Sequence, residues 1–122
     1  MKKICFPITN RVHLARQQIL LNELKKYFEV IIFTPKIKAE GMATFSILCA
    51  VEFNNFLAEN IIDCVLIRGD RFELLPLAMA SAYKKIKIIH IEGGDQSGVI
   101  DNKIRHAITH LSDYHFCTNK ES

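Results

Sequence analysis

Five short apolar runs, at 3–8, 30–34, 63–68, 86–92 and 114–118, punctuate the chain at fairly even intervals. Between them lie segments whose apolar residues recur every three or four positions, as Phe45, Leu48 and Val51 do. Runs this short, and as β-branched as V-I-I-F-T before Pro35, suit strands buried on both faces of a sheet. The intervening segments, 12–27, 43–59, 72–83 and 100–111, read as helices. Parallel strands joined through helices need right-handed crossovers. The pattern therefore predicts an α/β fold: a Rossmann-like parallel sheet with helices on both faces. Pro76 falls inside the third helical segment, which then either begins near it or is kinked there.

Composition narrows the function classes. At 122 residues, 49% hydrophobic and 24% charged, the chain is one domain of ordinary soluble character. A net charge of +3 with scattered basic residues speaks against nucleic-acid and membrane binding. The densest basic group, Lys84, Lys85 and Lys87, falls at a helix-to-strand junction and reads as a solvated turn. Cys5, Cys49, Cys64 and Cys117 show no C-x-x-C spacing, and three of them lie in apolar runs. Cysteine used as a small hydrophobe points to a reduced, cytoplasmic protein. The basic N-terminus is not followed by a signal-peptide core, because Pro7, Asn10, Arg11 and His13 interrupt the apolar residues. Nor does any stretch reach the ~20 apolar residues of a membrane span.

In a parallel sheet the carboxyl ends of the strands share one edge, where ligands bind. Three loops converge there: Thr9-Asn10-Arg11, Gly69-Asp70-Arg71-Phe72-Glu73, and the stretch from His90 to Asp101. They place Arg11, Asp70, Arg71, Glu73, His90, Glu92 and Asp101 along one rim. Arginines and helix starts suit phosphate, and carboxylates suit hydroxyl groups and proton transfer, so the rim fits an anionic, polyhydroxylated ligand. Plainer roles compete with each. Asp70 can cap a helix, Arg71 can form a surface ion pair, and Glu92 can close a strand end. Asp101 and Arg105 stand four apart, as surface ion pairs do. His90, set among isoleucines, can be a hydrogen-bonded core residue. His106 and His110 share a helical face, but no H-E-x-x-H pattern accompanies them and no metal is expected. Gly93 and Gly94 allow backbone conformations or a close ligand approach that a side chain forbids. They do not form G-x-G-x-x-G, so no nicotinamide or flavin cofactor is expected. No G-x-S-x-G or Cys/His pattern supports a nucleophilic enzyme.

G-D-R-F-E at 69–73, H-I-E-G-G-D-Q-S-G at 90–98 and I-D-N-K-I-R-H-A-I-T-H-L-S at 100–112, then Tyr114-His115-Phe116, occur in one order and spacing. Together they resemble the hydrolysing UDP-N-acetylglucosamine 2-epimerases. The likeness is nearest to the branch that supplies N-acetylmannosamine-type sugars for sialic-acid-like nonulosonates. I-T-N-R at 8–11 is a weaker match. The resemblance implies one lobe of a glycosyltransferase-B-type fold, with a UDP-sugar held in the cleft between two Rossmann-like lobes. It implies anti elimination of UDP to a 2-acetamidoglucal, then hydration to the C2-inverted free sugar. On motif position, Asp70, Glu92 and Asp101 correspond to acidic catalytic residues, Asp101 standing where some members carry glutamate. Arg11, Arg71, Glu73, His90, Gly93, Gly94, Ser97 and Arg105 correspond to the substrate-binding set. No cofactor or metal is implied.

The chain departs from the family in two places. The connection 35–42 is shorter than usual, and the chain stops inside the first lobe, so residues 1–122 are expected to form a single, incomplete N-terminal domain. The second lobe, which grips most of the UDP and supplies a catalytic histidine, is expected to be absent and the isolated chain inactive. A homo-oligomer or a complementing C-terminal lobe remains open. So do two rivals: a non-catalytic nucleotide-sugar-binding or assembly module acting through a partner chain, and a nucleotide-sugar glycosyltransferase lobe.

Overall fold

The computed structural model describes residues 1–9, 14–69, 71–91 and 99–116. Its elements follow one another as β1 (Lys3–Pro7), α1 (Leu14–Leu24), β2 (Glu29–Phe33), α2 (Met42–Glu59) and β3 (Cys64–Arg68). Then come α3 (Leu74–Tyr83), β4 (Lys87–Ile91), α4 (Val99–Leu111) and β5 (Tyr114–Phe116). Side chains are described from Gln17 onward in α1 and from Lys103 onward in α4. Every expected strand and helix is present, with ends shifted by a residue or two, and by three at the end of α1, which closes at Leu24.

All strand pairs are parallel, in the order β2-β1-β3-β4-β5. The chain moves outward from β1 in one direction to β2, then returns and proceeds through β3, β4 and β5 in the other. The reversal leaves a crevice between the carboxyl ends of β1 and β3, the place where doubly wound sheets bind ligands.

Alternation along the strands divides the core in two. Cys5, Phe33, Val65, Ile67 and Ile88 face α2, α3 and α4, meeting Cys49, Phe53, Leu57, Leu74, Leu77 and Ile108. Ile4, Phe6 and Leu66 face the other way, against Leu21 of α1. Helices thus cover both faces, as expected. Phe33 anchors α2 to the sheet, with ring centroids 4.7 Å from Phe53 and 5.1 Å from Phe56. Removing one such buried ring typically costs ~3–5 kcal/mol.

Asp63 precedes β3 rather than opening it. Its carboxylate accepts the Lys3 backbone N–H at 2.7 Å, while its own N–H donates to the Lys3 carbonyl. Asp113, just before β5, makes the same pair of bonds to Ile88. Pro76 is the third residue of α3, inside the first turn, where a missing N–H breaks no intrahelical bond. The helix starts near it. The short connection 35–42 is held by Glu52 of α2, whose carboxylate accepts the N–H groups of Lys36 and Ile37.

Candidate functional site

At the crevice between β1 and β3, a buried carboxylate joins two loops that are far apart in sequence. Glu73 is only 1% exposed. Its Oε2 accepts the Thr9 hydroxyl proton at 2.6 Å and the Arg71 Nε–H at 2.6 Å. Thr9 lies just past β1 and Arg71 just past β3, so one oxygen ties both strand exits together. The other oxygen, Oε1, is buried with no hydrogen-bond partner among the described residues. A buried polar atom left so is uncommon, and functional sites are among the places where it occurs. Arg71 meets this carboxylate with its Nε and keeps a half-exposed side chain, 50% against 2% for Glu73. The anchored guanidinium can therefore present its outer N–H groups to an anion.

The turn between β3 and α3 is shaped by Gly69. Its φ of +102° lies in the region L side chains rarely adopt, although a Cβ there would meet nothing nearer than Leu74 at 3.8 Å. Conformation, not space, makes this position a glycine. Phe72, on the same turn, sets its ring edge-on to Phe45 of α2, centroids 6.2 Å apart. On the other side of β3, Arg68 donates to the Gln17 amide oxygen of α1 at 2.7 Å.

His90, near the end of β4, is 0% exposed. Its Nε2 donates to the Gly69 carbonyl oxygen at 2.9 Å, and its Nδ1 lies 3.0 Å from the Thr109 hydroxyl of α4. The ring also lies against that of His115 on β5, centroids 5.5 Å apart. The core-histidine reading matches this environment. Beside the turn, Cys49 is buried, and burial pushes its thiol up to about 11, with the carboxylates of Glu73 and then Glu52 adding to the effect.

Among the expected site residues, the structure brings Arg71, Glu73 and His90 together around the Gly69 turn. Glu73 and His90 lie beneath the surface and Arg71 reaches out of it. Arg105 sits half-buried on α4, which also carries Asp101 at its third position. Arg11, Asp70, Glu92, Gly93, Gly94 and Ser97 lie outside the described residues, as does the Asp101 side chain. Thr9, expected only as part of its rim loop, and Thr109 are site residues outside the expected set. Both stand within the quoted motifs, Thr9 in I-T-N-R and Thr109 in I-R-H-A-I-T-H, where a small polar residue beside apolar ones was the available signal.

The family model described as UDP-N-acetylglucosamine 2-epimerase matches residues 12–122. A Legionella pneumophila protein, UDP-N,N'-diacetylbacillosamine 2-epimerase (hydrolyzing), is 45% identical over 60 residues, 49% of this chain and 16% of its own length. The UDP-N-acetylglucosamine 2-epimerase of Neisseria meningitidis is 34% identical over 99 residues, 80% of this chain and 26% of that protein. In fold, the chain is similar to S. aureus MnaA in a co-structure with UDP, with a TM-score of 0.82 and 21% identity. That likeness covers 96% of this chain and 38% of MnaA. The chain thus spans well under half the length of these relatives.

Proposed function

The chain belongs to the UDP-N-acetylglucosamine 2-epimerase family, and we propose that it provides the acid–base rim of a hydrolysing epimerase acting on UDP-GlcNAc or a closely related UDP-sugar. The observation that carries this reading is the Thr9–Glu73–Arg71 junction at the strand-order reversal. It anchors an arginine at the sheet edge where doubly wound folds bind ligands, which supports a role for Arg71 toward a diphosphate.

The reaction needs three services. A base takes the C2 proton while the C1–O bond breaks and its electron pair leaves with the β-phosphate of UDP. Cationic groups support the charge that builds on the departing diphosphate. Water then adds across the resulting C1=C2 bond, its hydroxyl to C1 and a proton to C2 on the opposite face, releasing N-acetylmannosamine. Asp70, Glu92 and Asp101 are the proposed acid–base groups. Arg11, Arg71 and Arg105 are the proposed diphosphate and sugar contacts, and Gly93, Gly94 and Ser97, on the segment after β4, complete the proposed substrate-binding set. Arg71 is the best supported of these, because Glu73 fixes one edge of its guanidinium. The products suit supply of N-acetylmannosamine-type sugars to sialic-acid-like nonulosonates. Free Cys5, Cys49 and Cys64 are in keeping with a reducing, cytoplasmic setting.

The test is incubation with UDP-GlcNAc, assayed for UDP and free N-acetylmannosamine, for the chain alone and for the chain completed by the remaining length of the Neisseria relative. Product from the completed enzyme supports the reading, and none from it would sink the assignment. Asp101→Asn in that enzyme is expected to lower kcat by ~100-fold or more, in the range typical of a lost acid–base group. Full activity would remove Asp101 from the catalytic set.

A further inference from the structure

Resting on the epimerase reading, we propose that His90 is a positioning residue. Its buried ring braces the turn that carries Asp70 against the helix that carries Asp101 and Arg105, and it acts without touching the substrate.

The geometry of Gly69 is the starting point. Its N–H donates to the Ile91 carbonyl at 2.9 Å, and its own carbonyl accepts from His90 Nε2 at 2.9 Å. Both backbone groups of Gly69 are therefore bound to the end of β4. A peptide unit is planar, so fixing the Gly69 carbonyl fixes the plane in which the chain leaves Gly69. With a φ of +102°, Gly69 would otherwise be one of the freer hinges in the chain. The bracket removes that freedom at the residue directly before the proposed acid–base group.

The far side of the ring reaches α4. A carbonyl oxygen only accepts, so Nε2 carries the proton; in the neutral ring Nδ1 then accepts the Thr109 hydroxyl proton across 3.0 Å. Thr109 lies eight residues beyond Asp101 on the same helix, ~12 Å along its axis at the usual rise. Strand, turn and helix are thus joined through one imidazole. The His115 ring beside it, tilted by 38°, restricts its rotation. A leucine could fill the volume, but it would leave the Gly69 carbonyl and the Thr109 hydroxyl without the hydrogen bonds that His90 gives them.

Two amide substitutions separate the two ends of the ring. The glutamine amide nitrogen stands near the place of Nε2, and that of asparagine near the place of Nδ1. The experiment is heteronuclear NMR on the ¹³C,¹⁵N-labelled chain and on His90→Gln and His90→Asn, with UDP-GlcNAc as the titrant. In the wild type, a protonated Nε2 coupled across the hydrogen bond to the Gly69 carbonyl carbon is expected. A ring protonated on Nδ1 alone would overturn the proposal without any variant having to fold. His90→Gln should keep the Gly69 and Asp70 backbone shifts near wild type and the UDP-GlcNAc affinity within ~3-fold. His90→Asn should move those shifts and weaken binding by ~10-fold or more. Equal displacement and equal loss in both variants would overturn the bracket, because a space-filling or substrate-contacting histidine would behave that way. With the bracket coupling in place, no response to UDP-GlcNAc even from the chain completed by the remaining length of the Neisseria relative would count against the epimerase reading and leave the bracket standing.

Discussion

Glu73 is a carboxylate at 1% exposure that holds an arginine whose own side chain is half in solvent. The two ends of this pair should not be worth the same. At the Arg71 end solvent screens the charge, and exposed pairs contribute only ~0–1 kcal/mol. At the Glu73 end, truncation removes the bond that receives the Thr9 hydroxyl and leaves buried polar surface uncompensated, at ~1–3 kcal/mol. Glu73→Ala is therefore expected to lower the urea midpoint clearly more than Arg71→Ala, whereas Arg71→Ala should weaken UDP-sugar binding more than it weakens the fold. Equal stability losses would contradict this division of roles. Only part of this was legible from the residues. G-D-R-F-E and H-I-E-G-G put both Glu73 and His90 at the ligand rim, since the strand ends are recognisable locally. The isoleucines around His90 suggest a core residue, but neither the burial of Glu73 nor the partners of the two side chains can be read locally, because Thr9 and Thr109 lie 64 and 19 residues away along the chain. No local pattern encodes which hydroxyl will meet which ring nitrogen.

Among the described residues, the end of α3 shows a correctable flaw. Ile86 N–H donates to the Ser81 carbonyl and Lys85 N–H to the Ala82 carbonyl, a Schellman closure. The residue at its left-handed position is Lys85, with φ +61°, where glycine is the usual occupant. Lys85→Gly is expected to stabilise the chain by ~0.5–1 kcal/mol, raising the thermal midpoint by a few degrees. An unchanged or lower midpoint would show that the lysine side chain gains something there, for instance along the 260 Å³ hollow it lines with Lys87 and Asp113. That hollow lies at the amino-terminal edge of β4, opposite the candidate site. The strands were easy to locate because a parallel strand buried on both faces leaves an unbroken apolar run. Their ends were less so. Asp63 looked like the start of a strand, yet its carboxylate receives the first N–H of the neighbouring strand, a pairing visible only once β1 and β3 are side by side.

On the scale of the whole molecule, two separate core clusters sandwich the sheet, and the larger one contains thiols that titrate only under strong alkali. Burial pushes Cys5 up to about 12, with Cys64 adding to it, and burial pushes Cys49 up to about 11. Because these folded values exceed the ordinary thiol value of 9.0, the native chain holds its protons longer than the unfolded one. Their contribution is complete below about pH 9 and is lost as pH rises through about 11 to 12. The unfolding free energy should therefore fall more steeply from about pH 9 to about pH 11 in wild type than in Cys5→Ala, read as urea midpoints. Parallel curves would mean that Cys5 is not the group responsible. The alternation of strands and helices made the doubly wound architecture legible. The order β2-β1-β3-β4-β5 was not, because the spacing of apolar runs is silent on which strands become neighbours. That order is what places Thr9 beside Glu73 and builds the rim.

As an epimerase rim, these residues would take a proton from C2 of a UDP-sugar and later return one to the other face. The most direct measurement is mass-spectrometric analysis of the free sugar formed from UDP-GlcNAc in D₂O by the chain completed with the remaining length of its Neisseria relative. Free UDP and N-acetylmannosamine carrying one deuterium at C2 are the expected products. Released sugar that keeps its original C2 hydrogen, or UDP released with no inversion at C2, would contradict it.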